Sequence, residues 1–179
     1  MSGAAVGVAP RSSSALMVVL TGPPDVRLLA RTRADLVGGD LPAQAYHAAA
    51  DLPLPEAEQL VRRWADEATA SVRTSLAEVS GVVAVGIAAV VRQVPSLDVV
   101  LRSHPLLHMA EGQLSREVIA EAAAQLGLRV HYLDPKGRHD PAAVERTVAL
   151  GRAAGPPWRK EHRMAALAAL GALGVSSPR

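Results

Sequence analysis

Apolar positions along the chain follow two rhythms, and each rhythm predicts an element. Ala15–Leu20 (ALMVVL) is a short apolar run between Ser12–Ser14 and Thr21-Gly22-Pro23-Pro24, which predicts a strand ending in a turn. Val26–Arg33 alternates weakly, with Arg27, Arg31 and Arg33 between apolar residues, and reads as a second, antiparallel strand. Gly38-Gly39-Asp40 marks another turn. Ala43–Ala49 (AQAYHAA) fits a third strand, with Tyr46 and His47 on opposite faces.

The period then lengthens. Pro53 and Pro55 open a long helix with Glu56 and Glu58 in its first turn, favourable at the positive end of the helix dipole. Leu60, Trp64, Ala68, Val72, Leu76 and Val79 recur at helical spacing and define one buried stripe. Ser80-Gly81 ends this helix. Val82–Val91 (VVAVGIAAVV) is uninterrupted, small and β-branched, the pattern of a central strand buried on both faces. A helical region follows from Pro95-Ser96 to Leu126, with a break expected at His104-Pro105 or Gly112, and Gly127 closes it. Arg129–Leu133 is a further strand, and Asp134–Pro141 is a polar loop carrying Lys136, Arg138 and His139. A helix over Pro141–Arg152, the Gly155-Pro156-Pro157 turn and a final helix complete the chain. The final helix has a stripe of Met164, Leu167 and Leu170, with Trp158, Lys160, Glu161 and His162 in its first turns. The expected core contains Trp64, Leu76, Val85, Ile87, Leu107, Val118 and Leu167.

Composition narrows the classes. The 179 residues, 49% of them hydrophobic, suit one domain with a real core, and no run is long enough to span a bilayer. The absence of cysteine excludes disulfides and thiolate metal sites. Residues 1–14 are rich in Gly, Ala and Ser and lack the apolar segment of a secretory signal. They read as a disordered tail on a cytoplasmic protein, with the domain over 15–175. The formal charge is +2, divided unevenly: residues 1–101 hold 8 Arg against 10 Asp and Glu, and residues 102–179 hold 11 Lys and Arg against 7 Asp and Glu. This mild basic bias suits an anionic ligand or nucleic acid but falls short of the basic stripe of a dedicated nucleic-acid binder.

Candidate chemistry concentrates in Arg102–Arg116 (RSHPLLHMAEGQLSR). His104, His108 and Glu111 stand at i, i+4 and i+7, one face of a helix, and interrupt an apolar line of Leu97, Leu101, Val118 and Ala122. Imidazole and carboxylate are ordinary ligands for a divalent metal and ordinary acid–base groups near neutral pH. Pro105 is expected to push His104 out of the α region, so Ser103 or His104 is expected as the cap and the i, i+4 geometry as approximate. The structural alternative is that both histidines are hydrogen-bonded core-edge residues beside a Ser103 cap. On the apolar-stripe argument, His108 and Glu111 are expected to be buried, with His47 or Arg116 as partners. Arg116 and Lys160, near helix beginnings, are candidates for gripping an anion. Gly22 and the Gly38-Gly39 pair lack the spacing and following helix of a phosphate-binding loop and read as turns.

The element order is three strands, a long helix, a strand, a helix, a strand, then helices. The expected fold is therefore α/β: a mixed five-stranded sheet, made of a three-strand antiparallel meander plus two crossover strands, flanked by helices. This order resembles the ribonuclease H-like fold, most closely its resolvase-type branch, over about residues 15–175. The phrases SHPLLHMAEGQLSR and GPPWRKEHRMAALAAL are also similar to stretches of actinobacterial proteins, a resemblance that carries no activity. The first resemblance implies two magnesium ions on carboxylates: an aspartate on the first strand, a glutamate near the end of the fourth, and acids on the final helix. The sequence departs from all three. ALMVVL has no acid, the fourth strand ends Ala88-Ala89-Val90-Val91-Arg92, and only Glu161, beside His162, matches on the last helix.

Three functional readings follow. The first is a degenerate, non-catalytic ribonuclease H-like module that binds nucleic acid or another protein, a homodimer being compatible with it. The second is a divergent phosphoester hydrolase using His47, His104, His108 and Glu111, with a divalent metal as the cofactor compatible with those ligands. The third is a small-molecule enzyme on an unrelated α/β sheet, for which no serine elbow, P-loop or dinucleotide fingerprint is present.

Overall fold

A computed structural model describes residues 3–174. Its sheet contains β1 (Ala4–Pro10), β2 (Ser14–Thr21), β3 (Leu28–Asp35), β4 (Val82–Ile87) and β5 (Arg129–Tyr132), in the order β3-β2-β1-β4-β5. The first three strands form an antiparallel meander, and β4 and β5 run parallel to β1. The helices are α1 (Ala45–Ala49), α2 (Leu54–Ala77), α3 (Leu97–Val100), α4 (His104–Gln125), α5 (Pro141–Ala154) and α6 (Lys160–Ala172). The mixed five-stranded α/β sheet is as expected, but one strand of the expected meander lies elsewhere in the chain.

The meander begins eleven residues earlier than its apolar pattern suggested. Within the segment expected as a disordered tail, Ala4–Pro10 (AAVGVAP) is β1, the middle strand of the sheet and almost entirely buried. Its small residues are a packing requirement. A Cβ at Gly7 would lie 1.8 Å from the backbone oxygen of Ala165, and one at Gly86 of β4 would lie 2.0 Å from that of Ala168. Helix α6 therefore lies directly on the β1 and β4 backbones, and only glycine permits that approach. Val6 and Val8 bury their side chains on the opposite face, against α2 and α4.

Ala43–Ala49 is corrected from strand to helix. Its alanines are strong helix formers, and the short α1 is held by contacts from α2 and α4 that no local pattern reveals. Val82–Val91 is also corrected. Only Val82–Ile87 is strand, and it lies beside the centre, between β1 and β5.

Two apolar layers sandwich the sheet. On one face Trp64, Val72 and Leu76 of α2 meet Val118, Ile119 and Ala122 of α4 over Val6, Val8, Val85 and Ile87. On the other, α6 packs Ala165, Ala166, Ala169 and Leu170 against Ala5, Val18, Leu20 and Ala84. All seven expected core residues are buried. Trp64 also donates its indole N–H to the Pro42 carbonyl at 3.0 Å, which satisfies its one polar atom inside the core.

Candidate functional site

The break in the helical region falls at Ser103, which occupies the N-cap of α4 with extended backbone but whose side chain accepts no cap bond. His104 is the first helical residue and Pro105 the second, a position where the missing amide proton costs nothing. The i, i+4 pair therefore forms despite the proline. His104 Nε2 and His108 Nε2 lie 3.0 Å apart.

A third imidazole arrives from α1. His47 faces His108 with ring centroids 4.6 Å apart and His104 at 5.5 Å. One nitrogen from each of the three rings lies within 4.8 Å of the other two. His104 and His108 are exposed, which corrects the expectation that His108 is buried, while His47 is partly buried. Below them Val100, Leu107 and Ala110 form a small apolar cluster with Tyr46, Ala50 and Leu106 packed against it.

Glu111 sits under this group and is 2% exposed. Its Oε1 accepts from the Tyr46 amide at 2.7 Å and the His47 amide at 3.1 Å, so a side chain of α4 caps α1. The same oxygen lies 3.3 Å from His47 Nδ1. With Nδ1 carrying the proton toward the carboxylate, His47 presents an unprotonated Nε2. That Nε2 is buried without a hydrogen-bond partner, as is Glu111 Oε2.

The other expected ligand-gripping residues lie apart from this group. Arg116, two turns after His108 on α4, donates to the Val90 carbonyl at 2.9 Å instead of pairing with Glu111 or His108. Burial holds its guanidinium below the ordinary value, with Arg92 adding repulsion. Lys160 begins α6 and is exposed.

A second constellation lies where β1 ends and α6 begins. Arg11, Arg33, Arg159, Glu161 and His162 line one cleft with Ser14, Leu16 and Pro157. Arg11 donates to Glu161 at 2.8 Å. Arg31 donates to the carbonyls of Gly155 and Pro157, both at 2.7 Å, and so ties β3 to the turn that leads into α6. The sequence reading missed Arg11 and Arg33 here. The available signal was Val6 and Val8 alternating with small residues just before Pro10-Arg11, hidden by a composition that resembles a tail.

This cleft tests the magnesium site implied by the resemblance. The true first strand, Ala4–Pro10, contains no acid, and β4 leads into Ala88 and Ala89. The single carboxylate lining the cleft, Glu161, is paired with an arginine beside two more. A pair of magnesium ions requires several oxygen ligands of net negative charge. These residues do not fit it.

No family model matches the sequence, and no curated protein matches it. Solved structures do. A Thermus thermophilus RuvC in complex with a Holliday junction substrate superposes with a TM-score of 0.55 at 14% identity, covering 93% of this chain and 90% of that one. A second Thermus thermophilus RuvC structure gives 0.50 at 14% identity, covering 93% and 91%. At this identity the likeness is one of fold, and the fold of this chain is the ribonuclease H-like α/β fold that RuvC has.

Proposed function

We propose that this chain is a degenerate ribonuclease H-like domain that binds nucleic-acid phosphates without the magnesium cleavage chemistry of its fold. One observation carries this reading: the residue after β1, strand β3 and the head of α6 present Arg11, Arg33 and Arg159 around Glu161, which Arg11 pairs, with no carboxylate on β1 or β4. Arginine matches phosphate geometry and needs no bridging metal. The likeness to a RuvC solved with a Holliday junction substrate supports nucleic acid as the partner class. Among the described residues no helix is long and apolar enough to cross a membrane.

Binding to labelled duplex and four-way-junction DNA, followed by fluorescence anisotropy over a salt series, tests this. Each of Arg11→Ser, Arg33→Ser and Arg159→Ser should weaken binding on every sequence and reduce the salt slope by about 1. Unchanged affinity in all three variants refutes the assignment of the cleft.

A second reading, a histidine- or metal-dependent phosphoester hydrolase, is favoured by the convergence of His47, His104 and His108 over Glu111. It predicts turnover of a model phosphodiester that His108→Gln abolishes with the fold intact.

A further inference from the structure

We propose that His47, His104 and His108 form a three-imidazole site for a divalent transition metal of the zinc class, with Glu111 as the group that orients His47. This inference stands independently of nucleic-acid binding and of hydrolysis. It also changes the ligand set that spacing alone indicated, because Glu111 moves behind the histidines and His47 takes its place.

Three observations support it. The first is convergence. The three nitrogens lie within 4.8 Å of one another, although His47 is 57 residues from His104. A zinc ion bound at about 2.0–2.1 Å to each nitrogen places tetrahedral ligands about 3.3 Å apart. The His104–His108 spacing of 3.0 Å needs to widen by only a few tenths of an ångström, and the His47 nitrogen, within 4.8 Å of the other two, needs to close in.

The second is orientation. A metal-bound histidine commonly donates its remote ring N–H to a carboxylate, which fixes the ring and raises its basicity. Glu111 Oε1, 3.3 Å from His47 Nδ1, is placed for that role. The same oxygen takes the Tyr46 and His47 amides, so the position of α1 and the aim of the ring are set together.

The third is the polar accounting. A buried ring nitrogen without a partner carries a desolvation cost that a stable structure ordinarily avoids. His47 Nε2 is such an atom, and it belongs to a ring packed against the other two imidazoles. Metal ligation accounts for it. The donor set is all nitrogen, which favours zinc, cobalt, nickel or copper over magnesium or calcium. Because His104 and His108 are exposed, a fourth position remains open to water or an exogenous ligand, the arrangement of reactive zinc centres.

The test is zinc titration of the chelator-treated full chain by calorimetry, with cobalt(II) visible absorption as a second readout. One equivalent should bind, and cobalt should show the intense bands of a tetrahedral nitrogen site. His104→Gln and His108→Gln, both at exposed positions, should keep the wild-type melting temperature without metal and lose at least about 100-fold in affinity. Glu111→Gln should lose about 10–100-fold and shift the cobalt spectrum. Absence of zinc binding by the wild type overturns the site. So does equal binding by the His104→Gln/His108→Gln double variant. Loss in the histidine variants with unchanged affinity and spectrum in Glu111→Gln overturns the orienting role of Glu111.

Discussion

Arg11 and Glu161 form an ion pair at 2.8 Å that ties the residue after β1 to the first turn of α6. Glu161 is held below the ordinary carboxylate value, first by a hydrogen bond from its own backbone amide and then by Arg11. The side chains are 55% and 39% exposed, so water screens the pair and it adds little to stability. Its consequence lies in the charge of the cleft, where a lone acid is matched by a cation. The purified protein is therefore expected not to cut four-way junctions in magnesium, in a gel assay that includes an active resolvase. Robust magnesium-dependent cutting that Glu161→Ala abolishes defeats this view.

The contact of α6 with the sheet makes a sharper prediction about stability. Gly86→Ala places a methyl group within 2.0 Å of the Ala168 carbonyl oxygen, and the obstacle is backbone, which cannot rotate away. The helix must lift from β4, at a cost of about 1–3 kcal/mol or more. Gly38→Ala, where a Cβ meets nothing within 4 Å, is the control and should stay within about 0.5 kcal/mol. Urea unfolding of the two variants measures the difference, and equal midpoints contradict the packing.

Glu111 should have a structural role separable from any ligand. Glu111→Ala leaves the Tyr46 and His47 amides without their acceptor and is expected to cost about 1–3 kcal/mol. Glu111→Gln retains one accepting oxygen and should cost less. Amide exchange gives the local readout: protection at Tyr46 and His47 should fall in the alanine variant and largely persist in the glutamine variant. Unchanged protection in Glu111→Ala means that α1 is held in place by its packing alone.

His162 sets a pH dependence with a definite sign. Burial holds its imidazole below the ordinary 6.5, Arg31 and Arg159 add repulsion, and Glu161 offsets part of the shift. Its Nδ1 also accepts the Arg159 amide at 3.0 Å, a bond that protonation of that nitrogen removes. As the pH falls below 6.5 the unfolded chain takes up the proton first, so this contribution to stability declines toward the depressed folded value and is complete above 6.5. His162→Asn, whose side-chain oxygen can accept the same amide, should show a shallower loss of stability than wild type between pH 7.5 and 5. Parallel curves for the two proteins exclude His162 as the source.

Much of this architecture was legible in the residue order, because periodicity encodes which face of an element is buried. The Trp64–Leu76 stripe, the Ala15–Leu20 run that became β2 and the i, i+4, i+7 alignment of His104, His108 and Glu111 are local properties, set by helix and strand geometry. Where residues are small, periodicity loses its information. Ala4–Pro10 looked like a tail because alanine and glycine suit disorder and close packing equally, and only the α6 backbone lying against Gly7 separates the two. Ala43–Ala49 looked like a strand because a five-residue helix is too short to stand alone, and the carboxylate that caps it comes from Glu111 in another helix. The candidate site divides in the same way. Spacing on one helix sufficed to bring His104 and His108 together. The arrival of His47, the exposure of His108 and the retreat of Glu111 beneath them depend on how α1 docks on α4. That docking rests on contacts between residues far apart in the chain, and no local rhythm records them.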